Sequence, residues 1–211
     1  MKPKILILTP VYKDWNNLKR LLKKIDKIFL KQIKNKFNLI IVDDASGEKI
    51  SLKKSNYRSI KKLSLLSLSK NVGSQRAIAL GLRFIGFEYK KKFGVVIMDS
   101  DGQDNPKGIV KFFEKSRLYP NQSIVANRGQ RKEPFWFRLC YETYRNLIKV
   151  FTLKNIKFGN FSYIVDQDIK KIFKKSDLWS AYPPTVINNL KIKTITIDRD
   201  KRFTGDSKMN F

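Results

Sequence analysis

The chain has 211 residues, of which 45 are Lys or Arg and 18 are Asp or Glu, giving a net charge of +27 at pH 7. This length suits one domain, and a hydrophobic fraction of 42% excludes a disordered chain. The lack of His excludes Ser-His-Asp and Cys-His chemistry, and the single Cys140 excludes an internal disulfide and favours a reducing, cytoplasmic setting. The excess positive charge indicates either an anionic partner or a lysine-rich genome.

The first 127 residues predict an alternation of strands and helices. Apolar residues at three- and four-residue spacing predict helices, most clearly in the segments 18–29 and 77–84. Apolar runs rich in β-branched residues predict five strands, at 5–8, 39–42, 63–68, 95–98 and 124–126. This alternation indicates an α/β fold with a mostly parallel sheet and helices on both faces.

Polar residues follow the first four predicted strands. They lie in the segments 9–14, 43–47, 69–73 and 99–106, each of which contains acidic, amide or turn-forming residues. Turn chemistry alone explains any one of these segments. Four in succession, at the edge of the sheet where ligands bind in open α/β folds, indicate a binding site.

The segment Asp99-Ser-Asp101-Gly-Gln103 predicts a cation site. Alternate side chains of an extended chain share one face, so Asp99, Asp101 and Gln103 are placed to bind a single ion. Carboxylate and amide oxygens suit Mg²⁺ or Mn²⁺, with water and phosphate oxygens as the remaining ligands. The later ligands of an EF-hand are missing from this segment.

Beyond residue 127 the pattern changes. The segments 159–166 and 193–198 predict two further strands, the first of which returns to the sheet. The segment 133–153 predicts a helix that lies at a membrane surface, although packing against the sheet or a partner subunit stays open. Its aromatic and aliphatic residues alternate with basic ones: Phe135, Trp136, Phe137, Arg138, Tyr141, Tyr144, Arg145, Leu147, Ile148, Lys149 and Phe151.

Six motifs, in order along nearly the whole chain, resemble those of family 2 glycosyltransferases of the GT-A fold. Among these, the chain is similar to the polyprenyl-phosphate (dolichyl-phosphate) sugar transferases. The motifs are Thr9-Pro-Val-Tyr12 with Asp14, Val42-Asp-Asp-Ala-Ser46, Leu68-Ser-Lys-Asn71-Val-Gly73, Asp99-Ser-Asp-Gly-Gln-Asp-Asn-Pro106, Gly159-Asn-Phe161, and Arg202-x-x-Gly205-x-Ser207-Lys208. The chain departs from the family pattern at Lys13, where the family has Asn, at Gly102, where it has Leu, and at Asn105, where it has Pro.

The resemblance implies a role for each motif. The residues that line the base and ribose pocket would be Pro10, Tyr12, Asp14 and either Asp43 or Asp44. Asp99 would face the ribose or the metal, and Asp101 and Gln103 would hold a divalent cation on the diphosphate. Arg202 and Lys208 would close over the diphosphate, and Arg128 and Arg131, with Arg138 as a weaker candidate, would bind an acceptor phosphate. Plainer roles stay open: Tyr12 as a packed aromatic, Asp43 as a turn cap, and Arg202 and Lys208 as solvated tail charges.

The resemblance also implies an activity. A single domain, 1–211, would bind a GDP- or UDP-sugar through residues 1–127 and present residues 128–211 to the acceptor and membrane. It would be an inverting hexosyltransferase acting on a lipid phosphate, peripheral on the cytoplasmic membrane face, and compatible with a homo-oligomer. The alternative is a transferase that extends a surface polysaccharide or lipopolysaccharide at a sugar hydroxyl, which needs a carboxylate base. A nucleic-acid-binding protein is a third hypothesis, disfavoured by the acidic strand ends and the lack of a recognition motif.

Overall fold

The computed structural model describes residues 4–48, 52–90, 92–128 and 158–205. In these residues, seven strands form one sheet in the order β3-β2-β1-β4-β6-β5-β7. The strands are β1 (Lys4–Val11), β2 (Phe37–Asp43), β3 (Ile60–Ser67), β4 (Phe93–Ile97), β5 (Ser123–Arg128), β6 (Phe158–Val165) and β7 (Ile192–Ile197). All seven strands predicted from the sequence are confirmed, and their ends agree within a few residues.

The sheet is parallel except for β6. Parallel ladders join β1 to β2 and β4, β2 to β3, and β5 to β7, whereas β6 lies antiparallel between β4 and β5. The mostly parallel sheet predicted from the strand–helix alternation is therefore confirmed. The carboxyl ends of six strands and the beginning of β6 consequently meet at one edge, which we call the carboxyl edge.

Helices cover both faces of the sheet, as predicted. They are α1 (Trp15–Ile28), α2 (Ser74–Glu88), α3 (Gly108–Leu118), α4 (Asp166–Ile172), α5 (Asp177–Ser180) and α6 (Tyr182–Asn189). A π-helical turn, Phe29–Ile33, extends α1, and a short 3-10 helix, Lys54–Asn56, precedes β3. Among the described residues, none of the helices has the length and apolar character needed to cross a membrane.

Two hydrophobic cores separate the faces. One contains α1 and α3, and the other contains α2 and α4 to α6. On β1 the fully buried Ile7 enters the first core, and its neighbours Leu6 and Leu8 enter the second, because successive side chains of a strand point to opposite faces. The helices between 166 and 189 were not predicted from the sequence. With seven, four and eight residues, they are too short to show the three- and four-residue spacing of apolar residues that identifies a helix.

Candidate active site

The loop after β4 carries the predicted cation ligands. Asp101 Oδ1 accepts a hydrogen bond of 2.9 Å from the backbone amide of Gln103, and Asp99 Oδ1 accepts one of 2.9 Å from Asn160 Nδ2. The amide of Asp99 donates to Asp104 Oδ2 at 3.0 Å, which closes the loop on itself. Three carboxylates therefore lie within six residues at the carboxyl edge.

The pKa of Asp104 reflects the negative charge that is concentrated in this loop. Burial and, after it, repulsion by Asp99 and Asp101 together raise the pKa of Asp104 to about 7, against the opposing effects of the Asp99 amide hydrogen bond and Arg199. Only 7% of Asp104 is exposed, so water screens this repulsion poorly. A cation bound at the loop would relieve it.

A divalent cation at this loop needs further ligands besides the carboxylates of the loop itself. In the described part of the chain, no group of three or more His, Cys, Asp or Glu side chains is arranged to hold a metal ion by itself. Mg²⁺ and Mn²⁺ are commonly held by one or two carboxylates, with waters and substrate phosphates completing the shell. Asp99 and Asp101 provide such a partial shell.

A C-terminal segment, residues 198–205, crosses this loop, and we call it the strap. Its Arg202 forms an ion pair with Asp14 through Nη2 and approaches Asp101 Oδ2 through Nη1 at 3.5 Å. Asp14 lies just before α1 and Asp101 follows β4, so Arg202 joins the two sides of the carboxyl edge. Three residues predicted from separate motifs thus meet in one cluster.

Backbone bonds fasten the strap to the loop. The amide of Asp200 donates to the Gln103 carbonyl at 2.9 Å, and the amide of Phe203 donates to the Asp101 carbonyl at 3.2 Å. Arg199 Nη2 donates to Gln103 Oε1 at 2.7 Å. That oxygen already accepts a hydrogen bond from a guanidinium, so Asp99 and Asp101 are better candidate cation ligands than Gln103. The predicted role of Gln103 in metal binding stays a prediction.

Asn17 fastens the strap to α1. Its Nδ2 donates to Asp14 Oδ1 at 2.8 Å and to the carbonyl of Thr204 at 2.9 Å, and Thr204 Oγ1 donates back to Asn17 Oδ1 at 2.8 Å. Asn17, which is only 1% exposed, was not predicted from the sequence as a site residue. An amide beside the apolar positions Leu18 and Leu21 of α1 is the signal that could have found it.

The acidic pair after β2 shapes the neighbouring loops. Both oxygens of Asp44 accept backbone hydrogen bonds, from Val72 at 2.7 Å and from Gly73 at 2.9 Å. Asp43 Oδ1 accepts from the Ser46 amide at 3.1 Å, which is the turn-capping role that the sequence left open. Recognition of the base by Asp43 or Asp44 stays a prediction.

The remaining predicted residues fall into two groups. Pro10 is buried at the end of β1, and Tyr12 is half-buried, with the Lys13 ammonium 5.3 Å from its ring centroid. Arg128 ends β5, where its backbone pairs with Ile197. Arg131, Arg138, Lys208 and the segment 133–153 lie outside the described residues.

Gly102 explains how the strap packs so closely. Its φ is +82°, and a Cβ atom there would lie 2.2 Å from Cε2 of Phe203. The Lys24 ammonium lies 4.3 Å from the centroid of the same ring. The Leu that the family has at this position therefore cannot coexist with Phe203 where it lies here.

Gly102→Ala is expected to destabilise the chain and loosen the strap. Displacement of Phe203 and the positive φ together should lower the free energy of unfolding by about 2–4 kcal/mol. Gly47→Ala is the matched control, because Gly47 has a φ of +71° and nothing within 4 Å of a built Cβ. Urea unfolding of both variants measures the difference, and equal losses would show that Phe203 does not oppose a side chain at position 102.

The fold agrees with the comparisons with known proteins. Residues 6–179 match the profile of Glycosyl transferase family 2. The chain belongs to glycosyltransferase family 2. It is 24% identical to an uncharacterized glycosyltransferase of Synechocystis sp., over 100% of this chain and 66% of that protein. It is also 24% identical to the undecaprenyl-phosphate 4-deoxy-4-formamido-L-arabinose transferase of Proteus mirabilis, over 99% of this chain and 63% of that protein.

The chain thus spans about two thirds of the length of these curated relatives. Solved structures share the GT-A fold. S. aureus TarS 1-349 in complex with UDP-GlcNAc superposes with a TM-score of 0.59 at 15% identity, covering 94% of this chain and 59% of that chain. Glucosyl-3-phosphoglycerate synthase from Mycobacterium tuberculosis, with Mn²⁺, UDP and glucosyl-3-phosphoglycerate, gives 0.57 at 13% identity, covering 96% of this chain and 73% of the synthase. These likenesses establish the fold.

Proposed function

We propose that the chain is an inverting glycosyltransferase that moves a sugar from a nucleotide-sugar to a polyprenyl phosphate. The observation that carries this proposal is the meeting of Asp14, Asp101 and Arg202 at the carboxyl edge. Carboxylates that suit a divalent cation and a guanidinium that suits a diphosphate lie side by side there. A nucleoside diphosphate bound with a cation needs both.

The leaving group determines what these residues do. As the bond between the sugar and the diphosphate lengthens, negative charge builds up on the diphosphate and positive charge on the sugar. Asp99 and Asp101 would hold a divalent cation, which neutralises the developing charge. Arg202 donates to the diphosphate from the strap, while Asp14 binds on the nucleoside side.

The acceptor reacts from the opposite face of the sugar. A phosphate oxygen forms a bond to the anomeric carbon, the bond from that carbon to the diphosphate oxygen breaks, and the configuration inverts. A lipid phosphate is already anionic, so the step needs no general base. We assign the acceptor phosphate to Arg128 and Arg131, and the name of the Proteus mirabilis relative supports a polyprenyl phosphate as the acceptor.

The proposed acceptor sets the place of action. A polyprenyl phosphate keeps its tail in the bilayer, so we place the chain on the cytoplasmic face of a membrane. The net charge of +27 supports attraction to an anionic leaflet, where each nearby basic residue contributes about 1 kcal/mol. The segment 133–153 is the proposed docking element.

A donor and acceptor panel tests the proposal. UDP-, GDP- and dTDP-sugars are each incubated with a short-chain polyprenyl phosphate, with Mn²⁺ or with EDTA, and the glycolipid product is measured. We expect transfer from one nucleotide class, dependent on the cation. Transfer to a saccharide hydroxyl acceptor, with none to the lipid phosphate, would overturn the acceptor assignment.

A further inference from the structure

A chain of three hydrogen bonds connects α6 to Asp99. The backbone amide of Tyr182 donates to Gln75 Oε1 at 2.9 Å, and Gln75 Nε2 donates to Asn160 Oδ1 at 2.9 Å. Asn160 Nδ2 then donates to Asp99 Oδ1 at 2.9 Å. We call Gln75 and Asn160 the amide relay. It joins three elements that are distant in sequence, because Gln75 lies in α2 and Asn160 in β6.

The backbone amide fixes the direction of the relay. A backbone N–H can only donate, so the Gln75 atom that faces Tyr182 must be the oxygen. The other end of the Gln75 amide is therefore a donor, which makes Asn160 Oδ1 an acceptor and Asn160 Nδ2 a donor toward Asp99. Asp99 consequently always meets an N–H at this oxygen.

The relay is also held firmly at both ends. Asn160 is 8% exposed, so its amide has little freedom to exchange partners with water. The Tyr182 hydroxyl lies 2.6 Å from Ser162 Oγ, which in turn donates to the Asn160 carbonyl at 2.9 Å. The α6 helix is thereby fixed to the strand that carries Asn160.

We propose that Gln75 and Asn160 are positioning residues that orient the Asp99 carboxylate toward the cation and nucleotide. The inference rests on the proposed function, which gives Asp99 its role. Asn160 acts by fixing one carboxylate oxygen, and Gln75 acts by fixing the direction of the Asn160 amide. Partners of this kind, one step removed from the metal, typically change metal affinity by about 10- to 100-fold when they are replaced.

The most direct test reverses the direction of the hydrogen bonds in the relay without changing the size of the side chain. In Gln75→Glu, both oxygens of the new side chain are acceptors, so the Asn160 amide has to turn and present its oxygen to Asp99. Gln75→Met removes the hydrogen bonds but leaves Asn160 free to keep donating. Gln167→Glu is the control, because Gln167 is exposed and its Nε2 donates only to the Asn121 carbonyl at 2.6 Å among the bonds seen here.

The quantity to measure is the gain in UDP or GDP affinity that Mn²⁺ produces, together with Tm and metal-free nucleotide affinity. We expect Gln75→Glu to lower this gain by about 10-fold or more, Gln75→Met to lower it less, and Gln167→Glu to leave it unchanged. Metal-free binding should stay at the wild-type value. Tm should fall in Gln75→Met, because the backbone amide of Tyr182 loses its acceptor. Simple electrostatics predicts the opposite order for Gln75→Glu and Gln75→Met, because an added carboxylate near the cation would strengthen cation binding.

The possible results separate the two proposals. A wild-type gain retained by Gln75→Glu, or a greater loss in Gln75→Met than in Gln75→Glu, would overturn the relay and leave the proposed function intact. A wild-type chain without any Mn²⁺-dependent gain for either nucleotide would overturn the proposed function. If Gln75→Glu does not fold, Asn160→Leu takes its place, because it removes the donor to Asp99 directly and should cause a similar loss.

Discussion

Asp101→Asn is expected to abolish the metal-dependent part of nucleotide binding and to lower kcat/KM by about 100-fold or more, because the cation contributes several kcal/mol to the transition state. The substitution keeps the size of the side chain and an oxygen that accepts from the Gln103 amide. The loop should therefore fold as in the wild type. Nucleotide titrations with Mn²⁺ and with EDTA, together with Tm, measure the two effects separately.

Asp177→Asn is the matched control for this prediction. Asp177 begins α5 and accepts a hydrogen bond of 3.3 Å from Asn189. It should leave Mn²⁺-dependent binding unchanged. Metal-independent nucleotide binding in the wild type, with full turnover in Asp101→Asn, would contradict the assignment of the loop after β4.

Arg202→Ala is expected to lower kcat/KM by about 10- to 150-fold, which corresponds to the loss of about 1.5–3 kcal/mol of charge-assisted hydrogen bonding. Arg202→Lys should fall between Ala and wild type, because Lys keeps the charge and loses the planar fork that serves two partners at once. Steady-state kinetics with the donor identified in the panel provide the measurement.

Lys201→Ala is the control for Arg202, since Lys201 is the exposed neighbour on the same strap. It should retain wild-type kinetics. Equal kcat/KM in Arg202→Ala and wild type would mean that the pairing of Arg202 with Asp14 and Asp101 only fastens the strap.

The strands were predictable because their signal is local. Runs of Ile, Val and Leu bounded by turn residues identify a buried strand without any knowledge of its neighbours. The insertion of β6 between β4 and β5 was not predictable, because strand order depends on pairings between residues about 30 to 70 positions apart. The short helices α4 to α6 lacked the length that a periodic pattern requires.

The site residues, like the strands and helices, were predictable from the sequence only in part. Asp14, Asp101 and Arg202 were named from motifs, and the fold brings them together. Asn17 and Asn160 received no role, because their partners come from other elements and spacing along the chain reports only local neighbours. Asp104 belonged to a quoted motif, but its raised pKa depends on burial, which the sequence does not show.

The placement of β6 has a consequence for how this fold can diversify. Asn127 near the end of β5 pairs with Phe158 at the beginning of β6, so the chain leaves the sheet and returns to it at adjacent points of one edge. The entropy of closing a loop between fixed ends grows only slowly with its length. A change in the number of residues between 128 and 158 is therefore expected to leave the register of β5 and β6 unaltered. Under the proposed function, relatives would change acceptor through this one interval while β1 to β4 stay the same.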